Sequence, residues 1–237
     1  MTAAAAAVAR KAPVRKAPPD SAGITTRIAE AIAAHKLPPG AKLGEEALGE
    51  IFGVSRTKIR QALFQLASDK LVTLIPGRGA FVTQPSVKEA REVFEARRMV
   101  EAAVLAAFLE RASTRDIAAL KSHMTEQHRA SETGSTQARN HLLGDFHTVI
   151  ARLAGNQVMA EIVEELVART SLITLLYQNT RGATESLGEH RSLMAAIEKR
   201  DVKQALKLML EHLNDVEQGL VLREETPPFA DLKSALG

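Results

Sequence analysis

Seven histidines supply the first candidate chemistry: His35, His123, His128, His141, His147, His190 and His212. Three of them have matching surroundings. Phe146-His147 lies in an otherwise apolar helical pattern, Glu189-His190 precedes Leu193, Ala196 and Ile197, and Glu211-His212 precedes Leu213, so each imidazole faces the apolar side of its own helix. A lone helical histidine usually packs or is solvated, whereas three converging imidazoles suit zinc, nickel or a similar divalent metal. The chain has no Cys, which excludes disulfides, thiolate zinc fingers, iron–sulfur ligation and a cysteine nucleophile. Any metal must rest on His and carboxylates. Glu189 and Glu211, each adjacent in sequence to one of these histidines, are expected to point off the ligand face. Spacing along the chain does not by itself establish that the three rings meet.

A second group of residues has the chemistry to read DNA. On a helix from about residue 56 to 69, Ile59, Leu63, Leu66 and Ala67 fall on one face. Arg56, Thr57, Lys58, Arg60, Gln61 and Gln65 remain outside it. Arg and Gln donate to phosphates and to base edges in the major groove, with Arg suited to guanine O6 and N7. Arg78 sits between Gly77 and Gly79, where a hairpin tip could carry it to a phosphate or into the minor groove. A solvated basic face is the plainer alternative.

The elements that must position these groups follow from periodicity. Ile24, Ile28, Ala31 and Ile32 repeat at helical spacing until Leu37-Pro38-Pro39-Gly40. Residues 45–52 form a short amphipathic helix ending at Gly53, and Val54-Ser55-Arg56-Thr57 supplies a tight turn with Ser55 as N-cap of the next helix. Helix, short turn, helix is the helix-turn-helix unit. Period 2 then takes over: 71–75 and 80–83 are strands around the turn Pro76-Gly77-Arg78-Gly79, a two-stranded wing. From residue 86 onward the pattern is helical, at about 86–112, 114–132, 137–154, 157–179, 184–199 and 202–223. Ser113, Asn156, Thr184 and Asp201 are start signals, and Gly155 and Gly182 are stop signals.

The expected fold is mainly α: a basic disordered tail at 1–22, a winged helix-turn-helix at 23–84, an all-helical effector-binding and dimerisation bundle at 85–226, and a loose C-terminal tail at 227–237. The acid-light, Pro-rich start shares features with a transit peptide, but Pro13, Pro18 and Pro19 favour a tail. Charge divides the same way. The net +3 resolves into +6 over residues 1–83, with 12 Lys/Arg against 6 Asp/Glu, and −3 over residues 84–237, with 19 against 22. A nucleic-acid-binding module joined to a non-binding one produces that split. Aromatics at 3% argue against base-stacking platforms for single strands. No apolar run approaches the roughly 18–20 residues that span a bilayer, so no membrane partner and a cytoplasmic location are expected.

Residues 38–82, PPGAKLGEEALGEIFGVSRTKIRQALFQLASDKLVTLIPGRGAFV, resemble the winged helix-turn-helix of GntR-family bacterial transcription regulators. The resemblance implies operator recognition by Arg56, Thr57 and Arg60, with Arg78 in the wing. Some members carry Arg where this chain has Glu46, so Glu46 is not assigned to DNA. DFHTVIARLAGN at 145–156, EHRSLMAAIEKRDVKQALKLMLEHL at 189–213 and Arg97-Arg98-Met99-Val100-Glu101 are similar to the FCD ligand-binding domain of the FadR subfamily. That resemblance implies a divalent metal held by one Asp and three His, the latter at His147, His190 and His212. The Asp position, four residues before the first His, holds Leu143. Asp145 lies about 200° away around the helix and cannot substitute. Asn140 returns to the ligand face but is a weak metal donor suited to an effector. A three-His site completed by water or by the effector's own carboxylate is therefore expected, weaker than in Asp-containing relatives.

Arg97 matches an Arg that in such domains often points into the effector cavity; its other reading is a surface i,i+4 pair with Glu101. Thr170, Ser171, Thr174, Tyr177 and Gln178 either orient a ligand or form the wet side of their helix, and Tyr177 and Gln178 join Arg97 and Asn140 as candidate effector contacts. The function expected is a ligand-responsive transcription regulator, a repressor by resemblance, acting as a homodimer on double-stranded operator DNA and sensing a small carboxylate. Two alternatives remain: a DNA-binding dimer with a degenerate pocket, and a metal-dependent hydrolase, since three His with an open position is also a catalytic zinc set.

Overall fold

A computed structural model describes residues 19–131, 136–177, 182–222 and 231–236, with side chains at 127–131, 136–144 and 182–185 outside the described set. The first described helix is α1 (Ser21–Ala33), whose N-terminus is closed by the Asp20 carboxylate accepting from the Gly23 N–H at 2.8 Å. The helix thus begins inside the segment expected to be tail. Its buried stripe is Ile24, Ile28, Ala31 and Ile32, the apolar period read from the sequence. After β1 (Lys42–Leu43) come α2 (Glu45–Phe52) and α3 (Arg56–Ser68), separated by Gly53 in the left-handed region at φ 65. Ser55 occupies the N-cap position of α3, but its side chain makes no capping bond. Strands β2 (Val72–Ile75) and β3 (Gly79–Val82) pair antiparallel, and β1 adds to the other edge of β3, giving the order β1-β3-β2. The wing therefore belongs to a three-stranded sheet. Two residues are too few for β1 to show alternation in sequence.

The second half is helical throughout its described length: α4 (Val87–Arg111), α5 (Thr114–Ser131), α6 (Thr136–Leu153), α7 (Gln157–Tyr177), α8 (Gly182–Glu198) and α9 (Val202–Gln218). Capping follows the expected signals at most boundaries. Asp116 and Ser113 cap reciprocally, Asn156 Oδ1 accepts from the Met159 N–H, and Asp201 accepts from the Gln204 N–H. Gly155, at φ 81, follows the end of α6. Gly182 instead starts α8, two residues before the expected Thr184.

Two apolar cores result. One is internal to the bundle, around Phe108, Phe146, Ile150, Leu193, Ile197 and Leu213. The other fills the winged head and continues into Val93 and Phe94 of α4 and Leu175, Leu176 and Tyr177 of α7. The C-terminus is docked: α10 (Leu232–Leu236) packs on α1 and α2, buries Leu236, and its Leu236 carbonyl accepts from Arg27. The expectation of a loose tail does not hold for these residues, because Leu232, Ala235 and Leu236 find apolar partners in the head.

Candidate functional site

Four helices converge on one buried cluster. α6 carries His147, α8 carries His190 and α9 carries His212, each almost fully buried on the inner face of its helix. His190 Nε2 lies 3.2 Å from His147 Nε2 and 3.2 Å from His212 Nε2. All three rings offer a ligand nitrogen within 4.8 Å of one another. The convergence that spacing left open is made by tertiary packing. Phe146 stacks on the His190 ring at 4.5 Å between centroids and walls one side.

The outer nitrogens set the chemistry. His147 Nδ1–H donates to Glu101 Oε2 of α4 at 2.6 Å, and His212 Nδ1–H donates to Glu189 Oε2 at 2.6 Å. Both rings then carry their proton outward and present the Nε2 lone pair inward, the arrangement of metal-binding imidazoles held by carboxylates. Burial pushes His147 down to about 4, against the pull of Glu101. Burial, with His212 and His147 next to it and the Arg97 charge nearby, also takes His190 well below its ordinary value. His147 and His190 are therefore neutral nitrogen donors near neutral pH. Nε2···Nε2 separations of 3.2 Å match the spacing of about 3.3 Å that tetrahedral zinc sets at Zn–N distances of about 2.0–2.1 Å. Lone pairs crowded this closely need a proton or a cation between them, and the residues present fit a divalent ion.

Glu101 is the site residue that sequence reasoning undervalued. Its Oε1 accepts from Arg97 Nε at 2.5 Å while Oε2 holds His147. Burial alone would raise this carboxyl, but Arg97 and His147 hold it at about 2. Arg97 and Glu101 do form the i,i+4 pair, yet inside the bundle rather than on its surface, with both side chains under 5% exposed. Glu189 corrects a second expectation: it turns toward the site, as the outer partner of His212. No periodic signal couples residues 189 and 212. Glu211 stays on the surface beside Lys207.

Two buried polar atoms lack a hydrogen-bond partner among the described residues, Arg97 Nη2 and His190 Nδ1. An unpaired guanidinium nitrogen beside the imidazoles is a ready hydrogen-bond donor to an anion. A cavity of about 290 Å³ between α5 and α8, lined by Lys121, Met124, Leu187, Met194 and Glu198, reaches His190 from outside.

Of the other predicted effector contacts, Tyr177 is not brought to the imidazoles. Tyr177 packs in the core shared with the head, and its hydroxyl donates to the Pro85 carbonyl at 2.8 Å. Thr170 and Thr174 are buried, so α7 does not turn a wet side there; their hydroxyls donate back to Leu166 and Ser171 carbonyls. Gln178 lies outside the described residues, and the side chains of Asn140 and Leu143 on α6 do as well. Of the remaining histidines, His35 is exposed and His123 half-buried, away from the cluster; His128 and His141 fall among the undescribed side chains.

On the head, Arg56, Thr57 and Arg60 are exposed on the first turns of α3. Lys58 is turned aside, its Nζ 3.5 Å from the Pro19 carbonyl. Arg78 is exposed at the wing tip, with its guanidinium 5.6 Å from the centre of the Phe81 ring. Arg56 and Arg60 are paired with Glu46 and Glu45 of α2.

Comparison with known proteins bears on both halves. Residues 21–82 match the gntR family of bacterial regulatory proteins, and residues 92–215 match the FCD domain. The chain belongs to the GntR family of regulators with an FCD domain. Among curated GntR-type relatives, the HTH-type transcriptional repressor RspR of Escherichia coli K12 is 24% identical over 77% of this chain and 80% of its own length. The Uxu operon transcriptional regulator of the same strain is 26% identical over 78% of each chain. The solved structure of Lar, described as controlling expression of the Listeria monocytogenes agr system, shares the fold at a TM-score of 0.61 and 17% identity, over 86% of this chain and 98% of that one. The GntR-family chain is thus a DNA-binding transcription regulator and not an enzyme, which removes the hydrolase alternative. No described helix is long and apolar enough to cross a membrane.

Proposed function

We propose that this regulator senses a small organic acid at a metal ion held by His147, His190 and His212, and transmits its binding to a DNA-reading head as a homodimeric, cytoplasmic repressor. The observation that carries the sensing reading is the meeting of three inward-facing imidazole nitrogens with an orphaned Arg97 guanidinium nitrogen. A divalent ion such as zinc or nickel held by His147, His190 and His212 would supply Lewis-acid affinity for a carboxylate.

The chain's own residues do the rest. Glu101 and Glu189 fix the tautomers of His147 and His212, and Arg97 offers its unpaired Nη2 to the anion. α4 links site and head, because Ala90, Val93 and Phe94 sit in the head's core while Arg97 and Glu101, one to three turns on, hold the site. An effector that pulls on Arg97 therefore acts on the helix that seats the head, and Tyr177 adds a second tie through Pro85. The effector shifts operator affinity by its differential binding to two arrangements of the heads. A second copy would cover exposed apolar side chains on α4 and α7, Met99, Val158 and Ile162, and would place two recognition helices on successive half-sites. Arg56, Thr57 and Arg60 enter the major groove, with Arg78 on the flanking backbone and Lys58 outside the base-reading face.

Metal analysis of protein purified without chelator or nickel resin, followed by thermal unfolding against a set of small carboxylates with and without zinc, tests this reading. About one metal per chain and zinc-dependent stabilisation by an acid support it. A metal-free protein that neither zinc nor any acid stabilises is a DNA-binding dimer with a degenerate pocket.

A further inference from the structure

Arg60 is held from one side. Its Nε and Nη2 donate to Glu45 Oε1 and Oε2 at 3.1 and 2.9 Å, the paired geometry in which a carboxylate takes the side edge of a guanidinium. One turn earlier on α3, Arg56 Nη2 makes a single bond to Glu46 Oε1 at 2.7 Å. The two acids are the first residues of α2, so these bonds join the opening turn of α2 to the first two turns of α3.

A guanidinium carries five N–H donors in one rigid plane. The side-on carboxylate uses the Nε–H and one Nη2–H, and leaves the end edge, formed by Nη1 and the outer Nη2–H. That edge has the two parallel donors that match guanine O6 and N7. A two-bond contact also fixes the plane and rotamer of a long side chain before DNA arrives, which a single bond does not. Both partners lie at the surface, where an ion pair adds little to stability. Its value must then lie in orientation or in competition with DNA.

We propose that Glu45 is a positioning residue for operator reading: it holds Arg60 side-on so that the end edge of the guanidinium reads a guanine. Glu45 is thereby a determinant of base preference without touching a base. The inference rests on the assignment of Arg60 to the major groove made above.

Selection of bound duplexes from a random library with the full-length protein tests it, using wild type, Arg60→Ala, Glu45→Ala and Glu45→Gln, each checked for unchanged thermal unfolding. The wild type is expected to enrich a motif with one guanine column that Arg60→Ala erases. Glu45→Ala should flatten that same column, with guanine discrimination falling about tenfold, while other columns persist and Glu45→Gln falls between. If Glu45→Ala leaves the column intact and raises affinity for all sequences alike, the carboxylate is a competitor of phosphate and the proposal is overturned. If no column depends on Arg60, the groove assignment itself fails, and the proposal falls with it for that separate reason.

Discussion

Removing the Glu101 carboxylate is the sharpest perturbation of the site that leaves all three imidazoles in place. Its two oxygens accept from Arg97 Nε and His147 Nδ1 inside a bundle where each side chain is under 5% exposed. Glu101→Ala leaves a buried guanidinium with Nε newly unpaired and Nη2 already so, plus an imidazole N–H without an acceptor. Breaking a buried charge pair from one side costs about 3–5 kcal/mol. For a chain of this size that lowers Tm by roughly 10 °C. The metal should also bind about 10–100-fold more weakly, since His147 loses the partner that sets its tautomer. Chelated protein in a thermal or urea melt reads the first effect, and zinc titration against a competing chelator reads the second. Replacing both charges, as Arg97→Met with Glu101→Met, should recover most of the lost stability, because the cost lies in the orphaned cation. Unfolding of Glu101→Ala within about 1 kcal/mol of wild type, together with unchanged zinc affinity, would refute the reasoning.

The remaining predictions concern pH, the C-terminus and DNA. His147 is depressed to about 4 from 6.5 in the fold, so the unfolded chain binds more protons between those values; stability of the chelated protein should fall as pH drops from about 6.5 toward 4, by on the order of 3 kcal/mol. Glu101, held at about 2 against 4.5, contributes stability that is present above 4.5 and lost below it as pH falls toward 2, which a chelated pH series of urea melts would extend to the acid side. Deleting residues 231–237 should cost about 1.5–3 kcal/mol through loss of the buried Leu236, and hydrogen exchange should quicken in α1 and α2 but not in α6; unchanged exchange in α1 and α2 would show that α10 contributes nothing to the head. Arg78→Ala should weaken operator binding about equally for all sequences and reduce the slope of log affinity against log salt by about 1; an unchanged affinity and slope would remove it from the interface.

Much of the scaffold was legible because helices and turns are local. Ile24, Ile28 and Ile32 announce the buried face of α1, Gly53 the left-handed stop of α2, and Asp201 the capped start of α9. The same locality put His147, His190 and His212 on inner faces of three separate helices. It failed for β1, whose two residues have no period, and for α10, whose three apolar side chains mean nothing until the head supplies a groove for them.

The sequence by itself determined which helices carry imidazoles and which carries the exposed arginines, since those follow from spacing on a helix. Tertiary structure alone decided what those groups do to one another. Glu101 reaches His147 across 46 positions, Glu189 reaches His212 across 23, and Glu45 reaches Arg60 across 15. No period of 3.6 or 2 links such pairs. Packing of whole helices sets the tautomer of an imidazole, the charge state of a buried carboxylate and the free edge of a guanidinium.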